Sequence, residues 1–587
     1  MKQAQTNKKP HWKSLSFLIR YFAKQKLIVL LLFILVITAN LGALYIPILT
    51  GDMIEYLRST RTISIDSPFL HLGLKMLVLS AGIWILTAIQ NSLIVIIGQK
   101  ITYSLRVDVS KHLLHLPVSY TDTHSMGNIL SILITDINNV SDTLSTDLVT
   151  IFAGSISIFG SIGLMLTLSP ILTMVVVGTI PIMLLATKAI AKRARTYHRQ
   201  RKMMYGTLSG FVEEILTALK SSIIYNTGND NISDFDEYSA QLCDYGIKAS
   251  TISSMMMPAT NTINNLVFTL ICIIGTILVI ADKLTLGSIS AFIMLSKKFS
   301  GPIVDISNII TSLQSTFASC DRIFTILCEE TEHVESLGDT KQIGQIEGKI
   351  EFRNVSFAYT KGNNILNNIS FIIQPREKIA LVGSTGSGKT TIISLLLRFY
   401  KEQEGQILID DKEIDSYPLR ELRRHFGLIS QNSWIFQGSI LSNLSYASLE
   451  EAIDRKEVIR LCRQIQVDEF IGSLSNEYDT VLKSDSGGLS DGQVELINIA
   501  RAFLSHPDIF ILDEATASID PQTEHKIQKT TDEVLKGKTS IVIAHRLTTI
   551  RNADLILVLK DGKIIERGTH KALLQQGGYY QTLYQCK

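Results

Sequence analysis

The feature that most constrains this chain is a set of long runs without a charged side chain, all in its first half. Residues 27–50 and 76–99 contain no Asp, Glu, Lys or Arg. Each exceeds the about 20 apolar residues that an α-helix needs to cross the hydrocarbon of a bilayer, so each is expected to form one span. Residues 148–187 make a run about twice that length, broken at Leu168, Ser169 and Pro170, and read as two spans joined by a tight turn. Residues 259–281 supply a fifth span. A sixth begins near Leu284 and must continue past Lys297 and Lys298 to about Phe317 to be long enough.

Composition agrees with this division. Of 587 residues, 46% are hydrophobic and only 19% are charged, below the roughly 25% charge of soluble domains. A net charge of +2 offers no electrostatic basis for binding nucleic acid. The six cysteines, Cys243, Cys272, Cys320, Cys328, Cys462 and Cys586, lack the spacing of a disulfide framework or zinc site and are expected to be reduced.

Lys8, Lys9, Lys13, Arg20, Lys24 and Lys26 precede the first span, and Lys192, Arg193, Arg195, Arg199, Arg201 and Lys202 follow the fourth. Positive residues concentrate on the cytoplasmic side, which predicts a multi-pass protein of the cell membrane with both termini in the cytoplasm. The first run is too long for a signal-peptide core and is expected to remain as an anchor. Residues 100–147 and 188–250 lie on that same side. Leu208 to Leu219 repeat apolar residues at helical spacing with Glu213 and Glu214 on the wet face. These segments are expected to be helices that extend the spans into the cytoplasm and meet in short turns able to touch another domain.

After Cys328 the chain turns polar, and from there it reads as soluble α/β. The expected organisation is multidomain: a cytoplasmic segment at 1–25, a six-helix membrane domain at 26–328, a linker at 329–347, and an α/β domain at 348–587. Residues 378–382, 509–512 and 540–544 are short unalternating apolar runs, as in a parallel sheet buried on both faces.

Two motifs in this half carry chemistry. Gly383, Ser384, Thr385, Gly386, Ser387, Gly388, Lys389 and Thr390 satisfy GxxxxGK[ST] between a strand and a helix that continues through Thr391. The glycines let N–H groups converge on phosphate, Lys389 adds a point charge, and Thr390 offers a hydroxyl to Mg²⁺. The strand 509–512 ends in Asp513 and Glu514, suited to holding a hydrated Mg²⁺ and polarising an attacking water. His545 follows another expected strand and is placed to reach the γ-phosphate or that water.

Together these residues resemble the ATP-binding-cassette exporters, in the half-transporter form that fuses six spans to one P-loop nucleotide-binding domain. The resemblance implies that Tyr359 stacks on adenine, that Gln431 reaches Mg²⁺ and the γ-phosphate, and that Asp520 links two nucleotide sites. It also implies that Pro117, Gly127, Asp136, Gly210 and Glu214 flank two cytoplasmic coupling regions. The implied catalytic set is Glu514, His545, Gln431 and Lys389, with Thr390, Gln431 and Asp513 toward the metal. Leu489, Ser490, Asp491, Gly492 and Gln493 stand where the family's signature has Leu-Ser-Gly-Gly-Gln. Ser490, Gly492 and Gln493 are assigned to the nucleotide of the opposite subunit. Asp491 either caps the helix it opens or weakens that site, since a carboxylate about 5 Å from phosphate costs roughly 3 kcal/mol at an effective dielectric of 20.

The stretch from Tyr478 to Phe503 is similar to the active-glutamate subunit of heterodimeric bacterial multidrug exporters. A second half-transporter is therefore the expected partner, a heterodimer being favoured over a homodimer because it confines Asp491 to one degenerate site. The expected activity is ATP-driven export of an amphipathic drug, lipid or small peptide, with ATP and Mg²⁺ as cofactors. A dedicated peptide or lipid exporter, and an ATP-gated channel or signalling subunit, are the alternatives. Lys297 and Lys298 near mid-membrane either line the cargo path or are satisfied by Asp305 and water.

Overall fold

The structure, a computed structural model, describes residues 20–21, 23–59, 68–332, 346–360, 362–430, 434–446, 454–482, 488–513, 521–543 and 550–585. The described chain packs as two units. One joins the residues up to Leu114 to those from Met126 to Glu329. The other joins His115–Ser125 to the residues from Glu330 onward.

The first unit is helical. In chain order it contains α1 (Lys26–Ser59) and α2 (Pro68–Leu113); the short α3 (Val118–Thr123) then belongs to the second unit. α4 (Met126–Leu168) contains two π-helical turns, Ile132–Asp136 and Thr143–Asp147. It is followed by α5 (Pro170–Thr217), α6 (Leu219–Ile224), α7 (Gly228–Ser254), α8 (Met256–Ile280) and α9 (Leu286–Cys328). The turn expected at Ser169 and Pro170 is present: Ser169 is extended, and its hydroxyl accepts from the Leu172 N–H as the cap of α5. The helix expected over 208–219 forms the last turns of α5, which continues from the apolar run, and it ends at Ala218 rather than Leu219.

Among the described residues, five helices are long and apolar enough to cross a membrane, where six were expected. These are α1, α2, α4, α5 and the run of α7 and α8. The expected sixth span, α9, is a 43-residue helix but is not among them, because Lys297, Lys298 and Asp305 interrupt its apolar stretch. Its packing against α1 is close: a Cβ on Gly51 would lie 2.7 Å from the Gly287 carbonyl oxygen. Further along, buried Asp136 in α4 accepts from Ser319 Oγ at 2.8 Å and Arg322 Nε at 2.6 Å of α9, and Thr143 and Thr316 share a hydroxyl hydrogen bond at 2.7 Å.

The second unit is α/β, as its apolar runs predict. An antiparallel sheet has the order β2-β1-β4-β5, from β1 (Ile350–Phe357), β2 (Leu366–Ile373), β4 (Glu404–Ile409) and β5 (Lys412–Glu413). A six-stranded sheet has the order β12-β11-β3-β10-β9-β6. It comprises β3 (Lys378–Gly383), β6 (Phe426–Ile429), β9 (Ile509–Asp513), β10 (Thr539–Ile543), β11 (Leu555–Lys560) and β12 (Lys563–Gly568). Its strands are parallel except β12. Because side chains alternate along a strand, Ile379 and Leu381 enter a core shared with β1 and β2. Ala380 and Val382 enter a second core, with the helix Asp491–Leu504. Gly438–Ser439 and Val481–Leu482 form the small pair β7 and β8.

Candidate functional site

β3, β10, β9 and β6 are neighbouring parallel strands, so their C-terminal ends share one edge of the sheet. Ligands in α/β sheets sit at such edges. At this edge β3 ends in Gly383, and the motif residues lead into α10 (Lys389–Leu396).

Backbone geometry explains the glycines. Gly388 caps α10 with φ +101°, in the left-handed region, and a Cβ there would lie 2.5 Å from Leu366 Cδ2. Gly386 has φ +81° and faces open space. Ser384, Thr385, Gly386 and Thr390 are exposed, whereas Ser387, Lys389 and Thr391 are buried. The Lys389 ammonium donates to the carbonyls of Gly383 at 2.9 Å and Ser384 at 2.8 Å, and to Ser387 Oγ at 3.4 Å. An incoming phosphate would compete with these loop oxygens for the same amine.

Tyr359 follows β1, 47% exposed, with its hydroxyl donating to Thr391 Oγ1 at 3.2 Å. Thr391 therefore orients Tyr359 in this structure, a role beyond the cofactor contact expected for it. Phe357 lies edge-on to Tyr359 at 5.0 Å between ring centroids, and Tyr400 does so from another side at 4.9 Å and 87°. Sequence reading did not single out Tyr400. Its hydroxyl donates to Asp122 Oδ2 of α3 at 2.7 Å. Burial, and then the Asp122 carboxylate, push the Tyr400 phenol well above its ordinary range. α3 opens at Pro117, one of the residues expected to flank a coupling region. The same connector is held by Glu332, whose N–H donates to the His115 carbonyl at 2.8 Å and whose carboxylate accepts both terminal nitrogens of Arg423 at 2.8 and 2.9 Å.

Asp513 ends β9 beside Ile543, the last residue of β10. Gln431, Glu514, Asp520 and His545 lie outside the described residues. By chain position they follow β6, β9 and β10.

Asp491 opens α11 (Asp491–Leu504), but Ser490 caps the helix. Ser490 Oγ accepts from the Gln493 N–H at 3.3 Å, and Gln493 Oε1 accepts from the Ser490 N–H at 3.0 Å. This reciprocal box satisfies the end of the helix. The capping role expected as one reading of Asp491 thus belongs to its neighbours, and the Asp491 carboxylate is exposed in the first turn. The Ser-x-x-Gln spacing was the sequence signal for this arrangement. Gly492 is buried at the same end. Arg501 in α11 donates to the carbonyls of Asn443 at 2.9 Å and Trp434 at 3.0 Å and to Asn443 Oδ1 at 3.0 Å, with Phe436 and Tyr446 beside its guanidinium.

In the first unit, Gly127, Gly210 and Glu214 are exposed, and the second helical tip, α6, buries no residue. Ile223, Ile224 and Tyr225 are each more than 70% exposed there. Lys297 is exposed, while Lys298 is half-buried and donates to the Ala43 carbonyl of α1 at 2.5 Å. No ion pair joins Asp305 to either lysine among the described residues.

Comparison with known proteins fits this division. Residues 29–303 match the family described as ABC transporter transmembrane region, and residues 366–517 match the ABC transporter family. The chain is 36% identical over 568 residues to an ABC transporter ATP-binding protein, YfiC, of Bacillus subtilis, covering 97% of this chain and 93% of the relative. It is 35% identical over 495 residues to a fatty acid ABC transporter ATP-binding/permease protein of Mycobacterium tuberculosis, covering 84% of this chain and 77% of the relative. It is 33% identical over 532 residues to an ATP-dependent lipid A-core flippase of Escherichia coli, covering 90% of each. With a membrane-spanning helical unit and a phosphate-binding-loop unit on one polypeptide, the chain belongs to the ATP-binding-cassette transporters, in their fused half-transporter form.

Proposed function

We propose that this chain is one half of an ATP-driven exporter that carries an amphipathic substrate across the cell membrane by alternating access. The observation that carries the reading is the place of α3. A tip between two membrane helices, it packs in the nucleotide-binding unit, where Asp122 meets Tyr400 beside the Tyr359 ring. Changes at the nucleotide edge therefore have a short mechanical route toward the spans. The relatives named for a fatty acid and for lipid A core favour a lipid over a drug or peptide as cargo. The spans number six in this reading, with α9 as the sixth and both termini cytoplasmic.

At the nucleotide edge, Lys389 and the N–H groups opening α10 hold the phosphates, and Tyr359 holds the adenine. The exposed Thr390 hydroxyl and the Asp513 carboxylate are hard oxygen donors that fit a hydrated Mg²⁺, which supplies charge neutralisation at the phosphates. Glu514 positions the attacking water, with Gln431 and His545 completing the set. The exposed apolar tip at Ile223, Ile224 and Tyr225 supports docking against a second half-transporter, because such patches mark interaction sites. A heterodimer confines Asp491 to one of the two sites.

The test is Glu514→Gln in the purified assembly. It is expected to bind ATP with ordinary affinity and lose turnover; undiminished hydrolysis would remove Glu514 from its role. Uptake of labelled palmitate into inverted vesicles against a gradient separates a pump from an ATP-gated channel, which cannot accumulate cargo.

A further inference from the structure

α1 and α9 each carry a proline inside the helix, Pro47 and Pro302. Proline has no N–H for the carbonyl four residues before it, so Ala43 and Lys298 lose their partners in the helical ladder. Within a bilayer such a carbonyl has to find a donor elsewhere in the protein. Both do, and Lys298 takes part in both solutions. Its ammonium donates to the Ala43 carbonyl at 2.5 Å, and its own carbonyl accepts from Ser157 Oγ of α4 at 3.2 Å. Small residues bring the backbones near enough: α1 meets α9 at Gly51 and Gly287, and a Cβ on Gly154 of α4 would lie 3.2 Å from Pro302 Cβ.

We propose that Lys298 is a positioning residue, not a cargo ligand. Its ammonium stands in for the N–H that Pro47 lacks and tethers the first span to the sixth at their proline breaks, while Ser157 ties the third span to the same point. The long lysine stem matters. A backbone hydrogen bond fixes two residues of one helix, whereas a flexible side chain can follow the Ala43 carbonyl as α1 and α9 tilt. The carbonyl then stays paired through the change of shape. The inference rests on the reading of the chain as a transporter whose spans reorient.

The test is a double-mutant cycle in the full-length assembly in phosphatidylglycerol and phosphatidylcholine nanodiscs: wild type, Lys298→Met, Pro47→Ala and the combination. Readouts are ATP turnover and the distance between spin labels at Leu41→Cys and Leu286→Cys. Lys298→Met is expected to lower turnover about tenfold, as for a buried acceptor left unpaired. In the Pro47→Ala background the same change should alter turnover by less than about twofold, because the alanine N–H now meets the carbonyl and the two effects are coupled. The spin-label distance should stay broadened in the combination, since the tether is gone even though the carbonyl is satisfied. Lys298→Arg should keep both readouts. If Lys298→Met does not assemble, recovery of assembly in the combination supports the proposal. An equal loss in both backgrounds with a spin-label distance as narrow as in wild type overturns it and marks Lys298 as facing cargo or lipid. Glu514→Gln tests the transporter reading separately, so the two failures are distinguishable.

Discussion

Tyr400 and Asp122 are joined by a hydrogen bond of 2.7 Å across 278 residues of sequence. The bond links the aromatic group around Tyr359 to a tip between two membrane helices that packs with the nucleotide-binding unit. Tyr400→Phe deletes the hydroxyl and keeps the ring. Because the bond is exposed, its loss should change stability by less than about 1 kcal/mol. Half-saturating ATP should stay within about twofold of wild type, while maximal ATP turnover of the membrane-reconstituted assembly falls about threefold, as expected for one weak hydrogen bond. Tyr400→Ala, which also removes the support of Tyr359, should raise the half-saturating ATP concentration. Equal ATP affinity in the two variants would separate Tyr400 from the adenine platform.

The phosphate loop makes a contrast between two glycines. Gly386→Ala meets only the strain of a positive φ, about 1–2 kcal/mol. Gly388→Ala meets that strain and Leu366 Cδ2 as well. Thermal unfolding should place Gly388→Ala clearly below Gly386→Ala, and ATP should shift the melt of Gly386→Ala more. The reverse order would mean that the loop takes another conformation in the assembly.

Much of this site is legible from residues close in sequence. The charge-free runs mark helices because hydrocarbon admits no unpaired charge, and Gly383 to Thr390 declare a phosphate loop because Gly386 and Gly388 stand where the loop takes left-handed backbone angles that favour glycine. Relations between distant residues are not legible that way. The pairing of Tyr400 with Asp122, of Asp136 with Arg322, and of Lys298 with Ala43 depends on which helix faces which. The Lys298 pairing had a signal, since Pro47 announces a carbonyl without a donor, but no local rule says which side chain supplies one. At α11 the carboxylate drew attention as a cap, although Ser490 and Gln493 carry the capping-box spacing.

Arg501 fastens α11 to the segment that follows Gln431. Burial lowers its tendency to hold a proton, and four carbonyl oxygens around a planar fork, from Asn443 (two), Trp434 and Asn498, offset that burial. Arg501→Ala should lower stability by about 2–3 kcal/mol by leaving the main-chain carbonyls of Asn443 and Trp434 without this donor. Arg501→Lys should recover less than half of this, because an ammonium cannot serve a fork or lie flat beside the stacked Phe436 and Tyr446 rings. Denaturant unfolding followed by tryptophan fluorescence measures both. Full recovery by lysine would show that charge alone matters there.

Asp491 offers the clearest separation of stability from function. Ser490 and Gln493 already close the end of α11, so the Asp491 carboxylate adds only its attraction to the helix dipole, about 0.3–1 kcal/mol. Asp491→Asn keeps the shape and removes the charge, and should lower the melting temperature only slightly. In the proposed assembly, a carboxylate about 5 Å from a phosphate would work against it by roughly 3 kcal/mol at an effective dielectric of 20. Half-saturating ATP should therefore fall by about tenfold or more in Asp491→Asn, and the gain should shrink as salt screens the charge. A heterodimer should show this gain at one of two sites and a homodimer at both, which titration of bound nucleotide per assembly distinguishes. An unchanged affinity at low salt would mean that the Asp491 carboxylate never approaches the phosphate.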